Sequence, residues 1–307
     1  MNAPIGTYCA LAAALFISAG AAAWAQTQDA AAETSQTDAA QSSQNQVPEL
    51  RAGPSLEKAF EDMYRLKFED ARTIIGAYDR VHPNDPLGAS AQAASYLFEE
   101  FQRKGVFSSA FFLDDKKLLV GVDGSVEENR NPKFLEADVR ARKLARDRLS
   151  ADSHDAEALL ALALADGMES DYDALIEKKQ IASLELMRQA DGEASRVLAL
   201  DPNLQDAYVS LGVAGYIIGC LPSYKRAILW FGGIHGDRMR GITLMQNAVD
   251  HGHYLQPFAK IMLALADERE HHFDLAQQLL AQLAQQFPEN PYFEQELVIA
   301  QRAAHKQ

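Results

Sequence analysis

The sequence predicts an all-α fold, a solenoid of about five helix pairs plus a C-terminal helix, and three observations carry that expectation. A spacing recurs three times: Phe68-x-x-Ala71 with Pro83, Met187-x-x-Ala190 with Pro202, and Phe273-x-x-Ala276 with Pro288. Internal periodicity of this kind marks stacked helix pairs, each too small to bury its own apolar face. From Ser55 onward, apolar residues fall three and four apart, as in Leu56, Ala59, Phe60, Met63 and Tyr64. Apart from one short stretch, no segment alternates apolar and polar residues well enough to form a sheet.

The first 54 residues stand apart from this pattern. Residues 1–25 contain an apolar, small-residue run from Cys9 to Ala23, then Ala23-Trp24-Ala25 before Gln26. That is the form of a secretory signal with cleavage after Ala25, although no Lys or Arg precedes Arg51. The expectation is an exported protein, periplasmic or envelope-associated, with no integral membrane span once the signal is removed. Residues 26–54 are mostly Ala, Gln, Ser, Thr and Asp and cannot bury enough surface to offset ordering entropy, so they read as a disordered polar linker. One cysteine then remains, Cys220, which rules out an intramolecular disulfide and a zinc site built on several thiolates.

The helical domain spans 55–303. Phe68, Ala71, Ile74, Ile75 and Tyr78 continue the first pair, which Pro83 and Pro86 end, Pro86 opening the next helix. A helix from Pro132 to Leu149 buries Phe134, Ala137, Ala141, Leu144 and Ala145, and leaves Lys133, Arg140, Arg142, Lys143, Arg146 and Arg148 as a solvated face or one for an acidic partner. Asp155, Asp201-Pro202-Asn203 and Asn290-Pro291 mark later helix starts. Beyond Pro202, Ala207, Tyr208, Leu211 and Gly212 lie five, six, nine and ten residues on.

With those positions the chain resembles a tetratricopeptide-repeat protein. The resemblance implies that Gly212 lets the two helices of a pair approach closely, while Ala190 and Ala276 admit a neighbouring helix. It also implies a non-catalytic scaffold that binds a protein or peptide. Extending the Pro83 class through Ala151, Pro202, Tyr254 and Pro288 gives intervals of 68, 51, 52 and 34 residues, so only the last is a standard unit of about 34. The excess falls at 105–131, 167–182 and 219–236, each between the two helices of a pair, and predicts insertions along one edge.

Each insertion offers candidates. In the first, Ala110-Phe111-Phe112-Leu113 and Leu118-Leu119-Val120 around Asp114-Asp115-Lys116-Lys117 read as a short β-hairpin. In the second, Asp166, Glu169, Asp171 and Asp173 read as solvated loop charge, with paired acid/base work as the rival. In the third, Trp230 and Phe231 are expected to pack inward beside a tight turn containing His235, with Asp237 capping the next helix. Anion binding by those glycine-flanked amides is the rival there, without the form of a nucleotide loop.

A net charge of −14 excludes a nucleic-acid backbone as ligand. His251 and His253 are separated from His271 and His272 by a helix of roughly 24 Å rise, so no metal is expected. No catalytic motif and no cofactor site is found. By the repeat pattern, Val209, Val213, Tyr216, Ile261 and Leu265 line the concave surface and suit an apolar peptide, unless neighbouring helices cover them. Two rivals stand beside this scaffold: a small-ligand binder or enzyme on the edge formed by Phe111, Phe112, Trp230, Phe231 and His235, and a self-associating structural protein.

Overall fold

The computed structural model describes residues 55–305, and among these every regular element is a helix. The expected signal and linker lie outside the described residues. In chain order the helices are α1 (Leu56–Tyr64), α2 (Phe68–Val81), α3 (Pro86–Arg103), α4 (Ser109–Phe112), α5 (Asp115–Val120), α6 (Val126–Asn129), α7 (Pro132–Ala151) and α8 (Ala156–Leu175). They continue as α9 (Gln180–Leu200), α10 (Ala207–Cys220), α11 (Ser223–Phe231), α12 (Arg238–His251), α13 (Gln256–Arg269), α14 (Phe273–Gln286) and α15 (Pro291–Ala304). None of them is long and apolar enough to cross a membrane.

Local chemistry sets most helix starts. Side chains of Ser55, Asp85, Asn131, Asp155, Asp237 and Asn290 each accept a hydrogen bond from a backbone N–H in the first turn of the helix they precede. Proline occupies the first turn of α3, α7, α13 and α15, where its missing N–H costs nothing. Three inter-helix turns share one device: Leu66 (φ 63°), Lys178 (φ 58°) and His271 (φ 65°) each sit two residues before the following helix. In the first and last, the next amide donates five residues back, Lys67 to Asp62 and His272 to Asp267, both at 2.7 Å.

Helices pack on their neighbours in sequence, with two exceptions. α3 packs directly on α7 and α10 directly on α12, so α4–α6 and α11 are set aside from the run. Every second long helix also touches: α1 with α3, α3 with α8, α8 with α10, and α10 with α13. The α10–α12 crossing is tight. A Cβ on Gly241 would stand 2.6 Å from the Tyr216 nitrogen, and one on Gly212 2.8 Å from the Met245 nitrogen. Gly212 thus sits at a close helix approach.

The two ends of the described chain meet. Phe60 packs on Tyr254 (ring centroids 5.3 Å apart), Tyr64 on Phe287 (5.6 Å) and Phe98 on Phe258 (5.5 Å). The Tyr64 hydroxyl donates to the Tyr254 carbonyl, and Asn290 Nδ2 donates to the Tyr64 carbonyl at 2.8 Å. Asp206, buried before α10, accepts from the amides of His253, Tyr254 and Leu255 and so ties the α9–α10 turn to the approach of α13.

The β-hairpin expected at 110–120 is replaced by α4 and α5. Ser108 and Asp114 cap these short helices, and Asp114 accepts from the amides of Lys116 and Lys117. Residues read as the tip of a hairpin are therefore a cap and a first helical turn. From this short helix the adjacent Phe111 and Phe112 enter different core clusters. At the end of α5, Gly121 has φ 84°, and a Cβ there would lie 2.3 Å from the Leu175 carbonyl oxygen. Residues 167–182 are mainly helical, forming the end of α8 and the start of α9.

Candidate functional site

The concave-face candidates are interior. Val209, Tyr216, Ile261 and Leu265 are buried, Val213 is half-buried, and the Tyr216 hydroxyl donates to the Ala266 carbonyl. α1 and the C-terminal helices meet over this region. What remains is an apolar cavity of about 70 Å³ lined by residues including Tyr64, Phe98, Phe258, Ile261, Leu265 and Phe293. An apolar cavity that holds a benzene is about 150 Å³. No peptide segment enters this one while the ends stay packed.

The insertion candidates divide. Phe111 and Phe112 are core residues. The third insertion does the reverse of what its sequence suggests: Trp230 is 60% exposed and Phe231 84% exposed, not packed inward. α11, SYKRAILWF, contains no buried residue. Tyr224, Ala227, Ile228 and Phe231 recur at i, i+3, i+4 and i+7 and form one apolar face, while Lys225 and Leu229, on the other side, are half-buried. That apolar face points into water, with Tyr224 66% and Ile228 67% exposed, and Met239 at the start of α12 adds another exposed side chain at 66%. Fully burying a side chain of this size is worth about 1.5–3 kcal/mol.

Trp230 stacks edge-on against Phe231 and against His235, with ring centroids 5.4 and 6.1 Å away. These rings are mostly in water, so they do not wall a small-molecule pocket, which needs enclosure. Asp237 spends its carboxylate on the Arg240 amide as the cap of α12, which puts an acidic group where an anion would have to bind.

The carboxylates of the second insertion are not loop charge. Asp166 and Asp173 are buried on α8, and Asp166 faces α7 and α9. Arg142 of α7 reaches Asp166 at 2.7 Å, Asp138 at 3.7 Å, and Glu169. Arg146 adds a longer contact of 3.9 Å to Asp166. Four carboxyl groups thus surround two arginines, because Glu193 of α9 also borders Asp166. Buried oxygens of Asp138, Asp166, Glu169 and Glu193 have no well-aligned hydrogen-bond donor. The basic face expected on α7 is largely consumed in this way: Arg140 pairs with Asp79, Lys143 with Asp147, and Arg148 with Asp155.

Burial pushes the Asp138 carboxyl up to about 7, with the Asp166 charge adding to it against Arg142. Burial and the same neighbour push Glu193 up to about 8. A carboxyl raised in the folded state binds its proton more tightly there than in the unfolded chain. Its contribution is full below the unfolded value of about 4 and is lost as pH rises through the folded value. The melting temperature should therefore fall between about pH 5 and about pH 8. Thermal denaturation across that range checks this, and a rise toward pH 8 would contradict it.

Among the described residues no group of three or more His, Cys, Asp or Glu side chains is arranged to hold a metal ion, and His251, His253, His271 and His272 form no such group. His253 pairs with Glu57 and His272 with Asp267. Cys220 is half-buried, and burial raises its thiol above the ordinary range, away from nucleophilic reactivity. The outward face of α11 is what sequence reasoning missed. The 3.6-residue periodicity of Tyr224, Ile228 and Phe231 was readable, but not the side that meets the body. Compared with protein-family models and with curated proteins, the chain matches none.

Proposed function

We propose that this chain is a non-catalytic scaffold or adaptor, exported to the periplasm or cell envelope, that docks on its partner through the exposed face of α11. Its body is read as a tetratricopeptide-like solenoid of five helix pairs, α1–α2, α3–α7, α8–α9, α10–α12 and α13–α14, followed by α15. Support for the pairing comes from the shared turn at Leu66, Lys178 and His271 and from contacts between alternate helices. The docking assignment rests on one observation: the apolar face of α11 faces solvent on a domain whose other large aromatics are mostly packed inside. The concave face is a weaker candidate, since opening it means separating Phe60 from Tyr254 and Tyr64 from Phe287.

A photo-crosslinking residue in place of Phe231, compared in cells with one in place of the exposed Val81 of α2, tests this. The expected result is an adduct from position 231 and little from position 81. Equal or absent yields would remove α11 as the docking element.

A further inference from the structure

We infer that the surface α11 docks on is an anionic lipid bilayer, an inference that rests on α11 being the docking element. The apolar face of Tyr224, Ile228 and Phe231, with Trp230 beside it, is flanked by charge of one sign. Between Pro222 and Arg240 lie Lys225, Arg226, Arg238 and Arg240 against the single carboxylate of Asp237, in a chain of net charge −14. Arg226, Arg238 and Arg240 are exposed, with Arg238 also reaching Glu270 of α13 at 3.1 Å. Among the described residues, α11, an exposed and strongly apolar helix of an acidic protein, thus carries a local positive charge. An amphipathic helix with aromatic and aliphatic residues on one face and Lys or Arg on its flanks lies in a membrane interface, the apolar face among acyl chains and the cations at the headgroups.

Other occupants fit less well. A second copy docking through the same region would bring two local excesses of positive charge toward each other. The chain's own 26–54 segment offers Val47 and Leu50 as its only large apolar residues and no aromatic ring. A bilayer interface suits Trp230 and Tyr224, whose polar ends stay hydrated while the rings sit among lipid. The acidic remainder does not prevent approach, because charges are screened beyond about 8 Å at physiological salt. Close to the surface, the local positive charge around α11 turns that helix toward the membrane. At nine residues α11 is about 14 Å long and inserts only shallowly. Binding should therefore be reversible and salt-sensitive.

Trp230 provides the readout, since the chain has two tryptophans and the other, Trp24, precedes Gln26. The test uses the chain from Gln26 onward, which keeps the whole compact unit that begins at Glu49. It is mixed with vesicles of phosphatidylglycerol or of phosphatidylcholine alone. On the anionic vesicles the protein should co-sediment, Trp230 emission should shift to the blue, and both effects should decline with salt. The Ile228→Ser, Phe231→Ser double variant should bind about tenfold or more weakly. Lys225→Ser and Arg226→Ser should each weaken anionic-vesicle binding by about fivefold. All four positions lie outside the core, and an unchanged circular dichroism melt confirms the fold of each variant. No blue shift on anionic vesicles, equal binding to phosphatidylcholine, or binding indifferent to the double variant would overturn the inference. If vesicles fail while the crosslinker at position 231 joins a protein, the lipid assignment falls and α11 docking stands. If both fail, α11 is not a docking element.

Discussion

Arg142→Met is expected to cost about 3–5 kcal/mol, the range for breaking a buried ion pair by removing one partner. Arg142 is the cation nearest three carboxylates, Asp138, Asp166 and Glu169, and the first two are almost wholly buried. Methionine fills much of the volume but leaves those groups with only the distant Arg146. A second measurement separates this cause from lost packing. Because Asp138 and Glu193 already hold their protons up to about 7 and about 8, the remaining carboxyls can discharge by protonation. The loss measured in urea at about pH 8 should shrink markedly at about pH 5. A loss independent of pH would point to packing.

The other large effect is expected at the α10–α12 crossing. In Gly241→Ala the added methyl meets the Tyr216 nitrogen at 2.6 Å and the Gly212 carbonyl oxygen at 2.8 Å, both backbone atoms that no rotamer change can move. Overpacking of this kind costs about 1–3 kcal/mol, and a backbone clash belongs at the upper end. For a domain of this size each kcal/mol lowers the melting temperature by about 2–4 °C. Gly167→Ala, within α8 and with no atom within 4 Å of the new Cβ, is the internal comparison. It should stabilise by about 0.5–1 kcal/mol through helix propensity. Similar melting temperatures for the two variants would mean that the crossing is not as close as these distances require.

Much of the architecture was legible because its causes are local. Asp155, Asn290 and Pro86 announce helix starts by bonding with, or fitting, the next few residues, and each does so here. Two of the segments picked out by the unequal intervals, 105–131 and 219–236, hold α4–α6 and α11, which lie outside the run of packed helices. The hairpin at 110–120 was misread because a charged four-residue run serves equally as a turn or as a cap with its first helical turn. Local sequence does not show that Phe111 and Phe112 are both core residues packed in separate clusters.

The candidate site was legible as a location but not as a surface. Trp230, Phe231 and His235 were identified from sequence, yet inward packing was expected for the two large rings. Asp166 and Glu169 were read as solvated because their partner, Arg142, lies more than twenty residues earlier, on α7. Likewise nothing near Ile261 or Leu265 reveals that α1 comes to lie beside the C-terminal helices.

By itself, the sequence determined that this chain is mainly helical and where helices such as α3, α8 and α15 begin. These follow from caps, prolines and spacing, whose energetics act over one or two turns. Only the tertiary structure decided which faces are covered: the interior closing around Tyr64 and Phe258, the carboxylates gathering on Arg142, and α11 turning its apolar face to solvent. Amphipathicity gives a helix an apolar side, but which side meets the protein depends on contacts with helices far away in the chain.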